Sequence, residues 1–248
     1  MGVRALWVCL VLTLACGRGP VRPAGATVDP ALLEMVPADT VMLTGIRVES
    51  IRKTPLFQKY GGGIGQALDS LAQSRELDLL RQDLKEVLLA SNGKATVVVG
   101  QGASKRQPLS ANLRRGIAGV SPAAQIWAVG LGGSIPGVVP NAGNLGNLGK
   151  VFGSMAEWRV GITLSPDLEL DAAGTAATEE DAKKLTGAMK FLIGSGRLHT
   201  PDNKPEMLQF YDAFQVRQDG QRVSLQARIG LELLEKAIAS PPGSPLRD

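Results

Sequence analysis

Three tight turns constrain this chain more than any other feature of its sequence. Asn92-Gly93 separates two strand-like runs in "EVLLASNGKATVVVG", Pro166-Asp167 does so in "RVGITLSPDLELDAAG", and Asp219-Gly220 in "FQVRQDGQRVSLQARI". A connection this short joins antiparallel neighbours only, because a parallel pair needs a crossover of about a dozen residues or more. Asn92-Gly93 is expected at the centre of a type I′ turn, where both residues take positive φ. The flanking runs alternate as half-buried strands do. Val160, Ile162 and Leu164 alternate with Arg159, Gly161 and Thr163, and Val223, Leu225, Ala227 and Ile229 share one face.

Helical patterns come after the later two hairpins. Thr178 with Asp181 forms a capping-box pattern, with Asp in place of Glu, and Ala182, Leu185, Met189, Leu192 and Ile193 then line one face. Leu231, Leu234 and Ile238 make a shorter helix after the third hairpin. Earlier, Asp29 is placed to cap a short helix with Pro30 at its first position. "VMLTGIRV" (Val41 to Val48) reads as a strand, and Ser50 is expected to cap the helical segment after it. Leu56, Phe57, Tyr60, Ile64, Leu68 and Leu71 return at helical spacing, split by Gly61 to Gly63. "QIWAVGL" is a further strand, and "NLGNLGKVFGSMAEW" a weak helix. The expected fold class is α+β: an antiparallel sheet built from hairpin–helix units, with helices on one face. Residues 41–100 and 125–174 both read strand, helix, hairpin, a pattern that internal duplication would produce.

The start of the chain reads as an address rather than as core. Behind Arg4, Ala5 to Ala15 form an apolar run. It is short of the about 20 residues that span a bilayer and matches the roughly 7–15 of a signal peptide. "CGRGPVRPAGAT" comes next, too rich in Gly and Pro to continue a buried helix. "LTLAC" resembles a bacterial lipobox, in which cleavage precedes a cysteine that becomes acylated. Leu14 and Ala15 fit the pattern before Cys16, and Thr13 departs from the usual Leu, Val or Ile. Ordinary signal cleavage after Ala15 is the alternative. Cys9 and Cys16 are the two cysteines, so cleavage before Cys16 leaves no thiol for a disulfide, and the core alone must hold the domain. The expected organisation is a signal peptide at 1–15 and a flexible tether at 16–28. A first α+β half is expected at 29–100, a basic linker or loop at 101–124, a second half at 125–240 and a disordered tail at 241–248.

Together the lipobox, "VPADTVMLTGIRV", "TPLFQKY", "DLKEVLLAS", "AQIWAVG" and "ATEEDAKKLTGAMKFL" resemble uncharacterised bacterial envelope lipoproteins of unassigned function. The resemblance implies export and lipid anchorage at the cell envelope through Cys16. Gly17 after the cysteine, where inner-membrane lipoproteins often carry Asp, implies the outer membrane if the cell has one. The family lends no activity.

Residues suited to chemistry are scarce. His199 is the single histidine, and a hydrolase would have to use it with Asp202 or Glu206 and a distant serine. The G-x-S-x-G elbow is missing, since "GGSIPG" sets Gly directly before Ser134 and Pro136 after it. His199 is therefore expected on a solvated loop between the α-helical pattern and Pro201 and Pro205. One histidine and no remaining thiol exclude the common zinc sets. Asp167, Glu169 and Asp171 share one side of a strand without the ligand order of an EF-hand, and read as a solvated face. "GLGGSIPG" and "GNLGNLGKVF" fail as phosphate loops at Ile135, Asn144 and Val151. No catalytic residue, metal or cofactor is expected.

The charge distribution is the remaining signal. Val87 to Ala156 contain no Asp or Glu, while Lys94, Lys105, Arg106, Arg114, Arg115 and Lys150 are present, against a net charge of only +4 for the whole chain. Lys105, Arg106, Arg114 and Arg115 are the candidate contact for an anionic envelope component. Nucleic acid is not expected as a partner, because export removes it and only Trp127 and Phe152 interleave the basic run. A small-ligand pocket around Trp127 or Trp158 is the alternative reading.

Overall fold

The hairpins anticipated from the turns are the frame of the molecule. The computed structural model describes residues 25–61, 85–99, 108–132, 134, 153, 155–164 and 166–239. Strand β2 (Val87–Ser91) pairs with β3 (Thr96–Val98), β5 (Met155–Leu164) with β6 (Leu168–Ala176), and β7 (Phe214–Asp219) with β8 (Arg222–Ile229). Between the first two hairpins, β1 (Met42–Ile46) lies beside β4 (Ile126–Leu131). Among the described residues this makes one eight-stranded sheet of order β3-β2-β1-β4-β5-β6-β8-β7, antiparallel throughout. The fold is α+β.

Both glycine turns are centred one residue later than expected. Asn92 N–H donates to Ala95 O at 3.2 Å, so Gly93 and Lys94 are the central pair, with Gly93 at φ +84°. Asn92 instead accepts through its side chain, from the backbone N–H groups of Lys94 and Ala95 at 3.0 Å each. Asp219 likewise pairs with Arg222 across the third hairpin, leaving Gly220, at φ +54°, and Gln221 at the tip. The physical reason is a division of labour: glycine takes the left-handed conformation without steric cost, and Asn is free to brace the turn by hydrogen bonding.

The helices are α1 (Pro30–Leu33), α2 (Val48–Arg52), α3 (Ala111–Ala118), α4 (Glu179–Leu198), α5 (Pro205–Asp212) and α6 (Leu231–Ala239), and 55–61 are helical as well. Two caps form as read: Asp29 accepts from Ala31 N–H at 2.8 Å, and Thr178 Oγ1 from Asp181 N–H at 3.0 Å. Others differ. Helix α2 starts at Val48 behind Arg47, not after Ser50. Residues 155–158 open β5 instead of closing a helix. Pro205 is the first residue of α5 rather than part of a loop, in keeping with the tolerance of a first helical turn for proline. Residues 62–84 and 135–150, with their helical spacing and glycine-rich loop, lie outside the described residues.

Register divides the sheet into two faces. On one, Leu43, Leu88, Ala90, Trp127 and Val129 cluster with Leu113 and Ile117 of α3. On the other, Ile46, Val87 and Leu89 pack with Val48 and Ile51 of α2, and Trp158, Ala176 and Val223 pack with Ala182 and Leu185 of α4. Helices α2 and α4 thus share a face, whereas α3 covers the opposite one. The six strands β3-β2-β1-β4-β5-β6 are symmetric about β1 and β4, the arrangement that duplication of a strand-plus-hairpin unit expects, with β8 and β7 added beyond β6. Yet α3 and α4, each coming after its hairpin, sit on opposite faces, which a two-fold axis normal to an antiparallel pair cannot relate.

Two expected boundaries move. The tether does not extend to 28: Ala26 and Val28 are buried in the α3 cluster, and Ala26 N–H donates to Ile117 O at 3.2 Å. The 101–124 segment is not wholly linker or loop, because α3 lies within it and buries Leu113 and Ile117.

Glu86 secures the N-terminal segment, accepting from Asp29 N–H at 3.3 Å. Burial raises its carboxyl above the ordinary 4.5, opposed by that hydrogen bond and by Arg47. A folded value above the unfolded one means that the native state holds the proton more tightly, so stability falls as pH rises between the two. Glu86→Gln, which keeps an acceptor oxygen, is expected to raise the melting temperature at pH 7, with the gain disappearing at about pH 3, where the Glu86 carboxyl is protonated in the folded and unfolded states alike. Melting curves at the two pH values check this, and an equal gain at both would assign the effect to packing instead.

Candidate cationic cleft

Helix α3 is fixed at both ends and along its inner face. Ser110 caps it, accepting from Leu113 N–H at 3.3 Å. Leu113 and Ile117, four residues apart, point into the core. After its C-terminus, the Arg47 guanidinium donates to Pro122 O at 2.7 Å and holds the connection to β4. Arg114 and Arg115 fall between the buried positions and are exposed. Of the four expected basic contacts, the structure places these two on one rigid helix. Lys105, Arg106 and the lipidation candidate Cys16 lie outside the described residues.

Beyond α3 the same sheet face turns polar. By register it carries Glu157, Arg159 and Thr163 on β5, Glu169, Asp171 and Thr175 on β6, and Arg222, Gln226 and Arg228 on β8. Two adjoining clefts open over it. One, of about 560 Å³, lies between α3 and the strands and is lined by Asn112, Arg115, Glu157, Arg159, Thr175 and Arg222 among others. The other, of about 450 Å³, includes Thr163, Glu169, Asp171, Gln215, Gln226 and Arg228.

The second cleft is acidic rather than cationic, with Glu169, Asp171 and Asp212 against Arg228 in its lining. Arg228 Nε meets Asp167 at 2.8 Å and Glu169 at 3.5 Å, and Gln226 donates to Asp171 at 3.3 Å. The acidic stripe Asp167, Glu169 and Asp171 is therefore a strand face answered by its neighbours. No metal-binding group of three or more His, Cys, Asp or Glu residues occurs among the described residues.

The first cleft has the opposite balance. Arg115 reaches Glu157 only at 3.9 Å and Arg159 reaches Asp171 at 3.7 Å. Among the described residues Arg222 makes no ion pair. Arg159 is the least exposed of the three, its side chain 22% accessible, and its Nε is buried without a hydrogen-bond partner. Burial lowers its pKa below the ordinary value; Asp171 opposes this, and the positive charge of Arg222 adds to it. Guanidinium stays protonated in proteins regardless, so these groups remain cations lining one cleft.

Of the other sequence candidates, Trp127 is 1% exposed beneath α3, and Trp158, 9% exposed in the α4 cluster, is among the residues lining the first cleft. His199 is exposed at the turn that closes α4, as its C-cap; its Nδ1 faces Ser195 O at 2.7 Å, while the Ser195 hydroxyl stands at 3.4 Å. Its ring is held by its own helix rather than by Asp202 or Glu206. Sequence alone does not single out Arg159 and Arg222. Their alternation marks them as polar-face residues, but only register brings them to the same cleft as Arg115. Comparison of the chain with protein-family models, with characterised proteins and with solved structures finds no match.

Proposed function

We propose that this chain is a non-enzymatic, lipid-anchored protein of the cell envelope that acts through surface contact with an anionic component. The observation that carries the contact is α3. Its apolar side is buried and its Arg114 and Arg115 are exposed, so it presents a fixed cationic ridge at the margin of an open, polar half-sheet. A ridge held by the core presents its charge without first ordering a loop, which lowers the entropy cost of binding. Anchorage rests on "LTLAC" and its resemblance to a lipobox, with Cys16 as the acylated residue.

Anionic liposomes are expected to retain the soluble domain, with retention falling as salt shortens the about 8 Å screening length of physiological buffer. The double charge reversal Arg114→Glu with Arg115→Glu should reduce retention, and equal binding to neutral liposomes would contradict the reading. Intact mass of the full chain from a membrane fraction, beside a Cys16→Ala variant, tests the anchor. A mature chain starting at Cys16 with added acyl mass supports it, and a mature chain without lipid removes it.

A further inference from the structure

We infer that the cleft between α3 and strands β5, β6 and β8 binds a phosphate-type oxyanion through Arg115, Arg159 and Arg222. Three guanidinium groups from three separate elements line one space of about 560 Å³. Their carboxylate partners are few and loosely held: Glu157 stands 3.9 Å from Arg115, Asp171 stands 3.7 Å from Arg159, and Arg222 has none among the described residues. Such long, partly exposed pairs hold weakly and exchange readily for a better acceptor. The Nε of Arg159 is buried without a hydrogen-bond partner, so this guanidinium is held in place at a cost that its one long ion pair does not offset.

The geometry favours a tetrahedral dianion. A carboxylate offers two coplanar oxygens, matched by a single arginine fork. A phosphate offers oxygens in several directions, and these can take guanidinium N–H groups arriving from a helix and from two non-adjacent strands. Thr175, on the intervening strand β6 and paired in register with Arg222, adds a hydroxyl to the same lining. Arg159 is pre-positioned, its stem running close against the C-terminal end of α3, where a Cβ at Gly119 would come within 3.2 Å of its Cδ. The cleft exceeds what one phosphate fills, so the group would arrive on a larger molecule, as a soluble phosphate ester or as a lipid headgroup. This inference requires neither the anchor nor Arg114.

The test uses the full chain carrying Cys16→Ala, so that no acyl chain intervenes, with inorganic phosphate as the probe and chloride at matched ionic strength as the control. Saturable phosphate binding by calorimetry is expected. Arg222→Gln, at an exposed position where folding is not at stake, should weaken it roughly tenfold to a hundredfold, the scale of one charge-assisted hydrogen bond. Arg159→Gln should do the same, and Lys183→Gln, on α4 across the sheet, should not. Vesicles of phosphatidic acid in phosphatidylcholine then separate the sources. Displacement of vesicle-bound chain by phosphate assigns a headgroup, and phosphate binding with no effect on vesicles assigns a soluble ester. Equal affinity in Arg222→Gln and the parent chain, or no binding at about 10 mM phosphate, ten times a millimolar Kd, overturns the inference. Arg114→Glu with Arg115 intact tests the exposed ridge without touching the cleft lining, so loss of liposome retention in that variant and loss of phosphate binding in Arg222→Gln tell the two readings apart.

Discussion

Trp127→Ala is expected to lower the stability of the domain by about 3–5 kcal/mol, the range for emptying a fully buried aromatic site. Trp127 is 1% exposed and lies among Leu43, Leu88, Leu113 and Val129, where α3 meets the sheet. Its indole rests on Gly45, its direct partner on β1, and a Cβ there would collide with the ring. Gly45→Ala should therefore cost about 1–3 kcal/mol by overpacking. Combined with Trp127→Leu, the same alanine should cost less, because the ring it collides with is gone. Such contacting pairs couple by about 0.5–3 kcal/mol. Urea denaturation of the two single variants and the double one measures the coupling, and strict additivity would refute the contact. Trp127→Phe should be milder than Trp127→Ala, since the indole Nε1 is buried with no hydrogen-bond partner to lose.

The second large effect is expected at Leu113. It is 1% exposed and joins α3 to the sheet, so Leu113→Ala should cost about 2–5 kcal/mol. Leu113→Met, close in volume, should cost less than about 1.5 kcal/mol. The consequence reaches the cleft, because α3 is the wall that carries Arg115. Amide exchange in α3 of Leu113→Ala should quicken more than in α4, which buries Ala182 and Leu185 on the opposite face. Uniform acceleration through both helices would show that α3 has no independent opening, and a loss under about 1 kcal/mol would show that its packing contributes little.

The parts of the fold that are legible in the sequence share one property: they are encoded within a few residues of each other. Thr178 bonds to Asp181 N–H, Asp29 to Ala31 N–H, and Gly93 and Gly220 take positive φ at the turns. Alternation along β8 sorts Val223, Leu225, Ala227 and Ile229 from Arg222, Ser224, Gln226 and Arg228 without knowledge of the neighbouring strands. Where two local signals compete, the stronger one can mislead. In the basic segment the charge of Arg114 and Arg115 masks the i, i+4 pair Leu113 and Ile117, which makes α3. Pro205 carries the signal of a loop where it opens a helix. The candidate site is legible only as a basic run, and half of its named residues lie on α3.

From the sequence alone came the antiparallel pairing, the α+β class, the Asp29 and Thr178 caps and the confinement of both cysteines to the first sixteen residues, because turns, caps and composition act over short distances along the chain. Only the tertiary structure decided which face α3 covers, that Trp127 lies over Gly45, and that Arg115, Arg159 and Arg222 line one cleft. Those three arginines come from a helix and from strands separated by β6, and their meeting depends on the register of pairings between residues as far apart as Arg159 and Ala173, and Thr175 and Arg222. Register is set by burial of the whole apolar face at once, since a slip of one residue would turn every side chain of a strand to the wrong side.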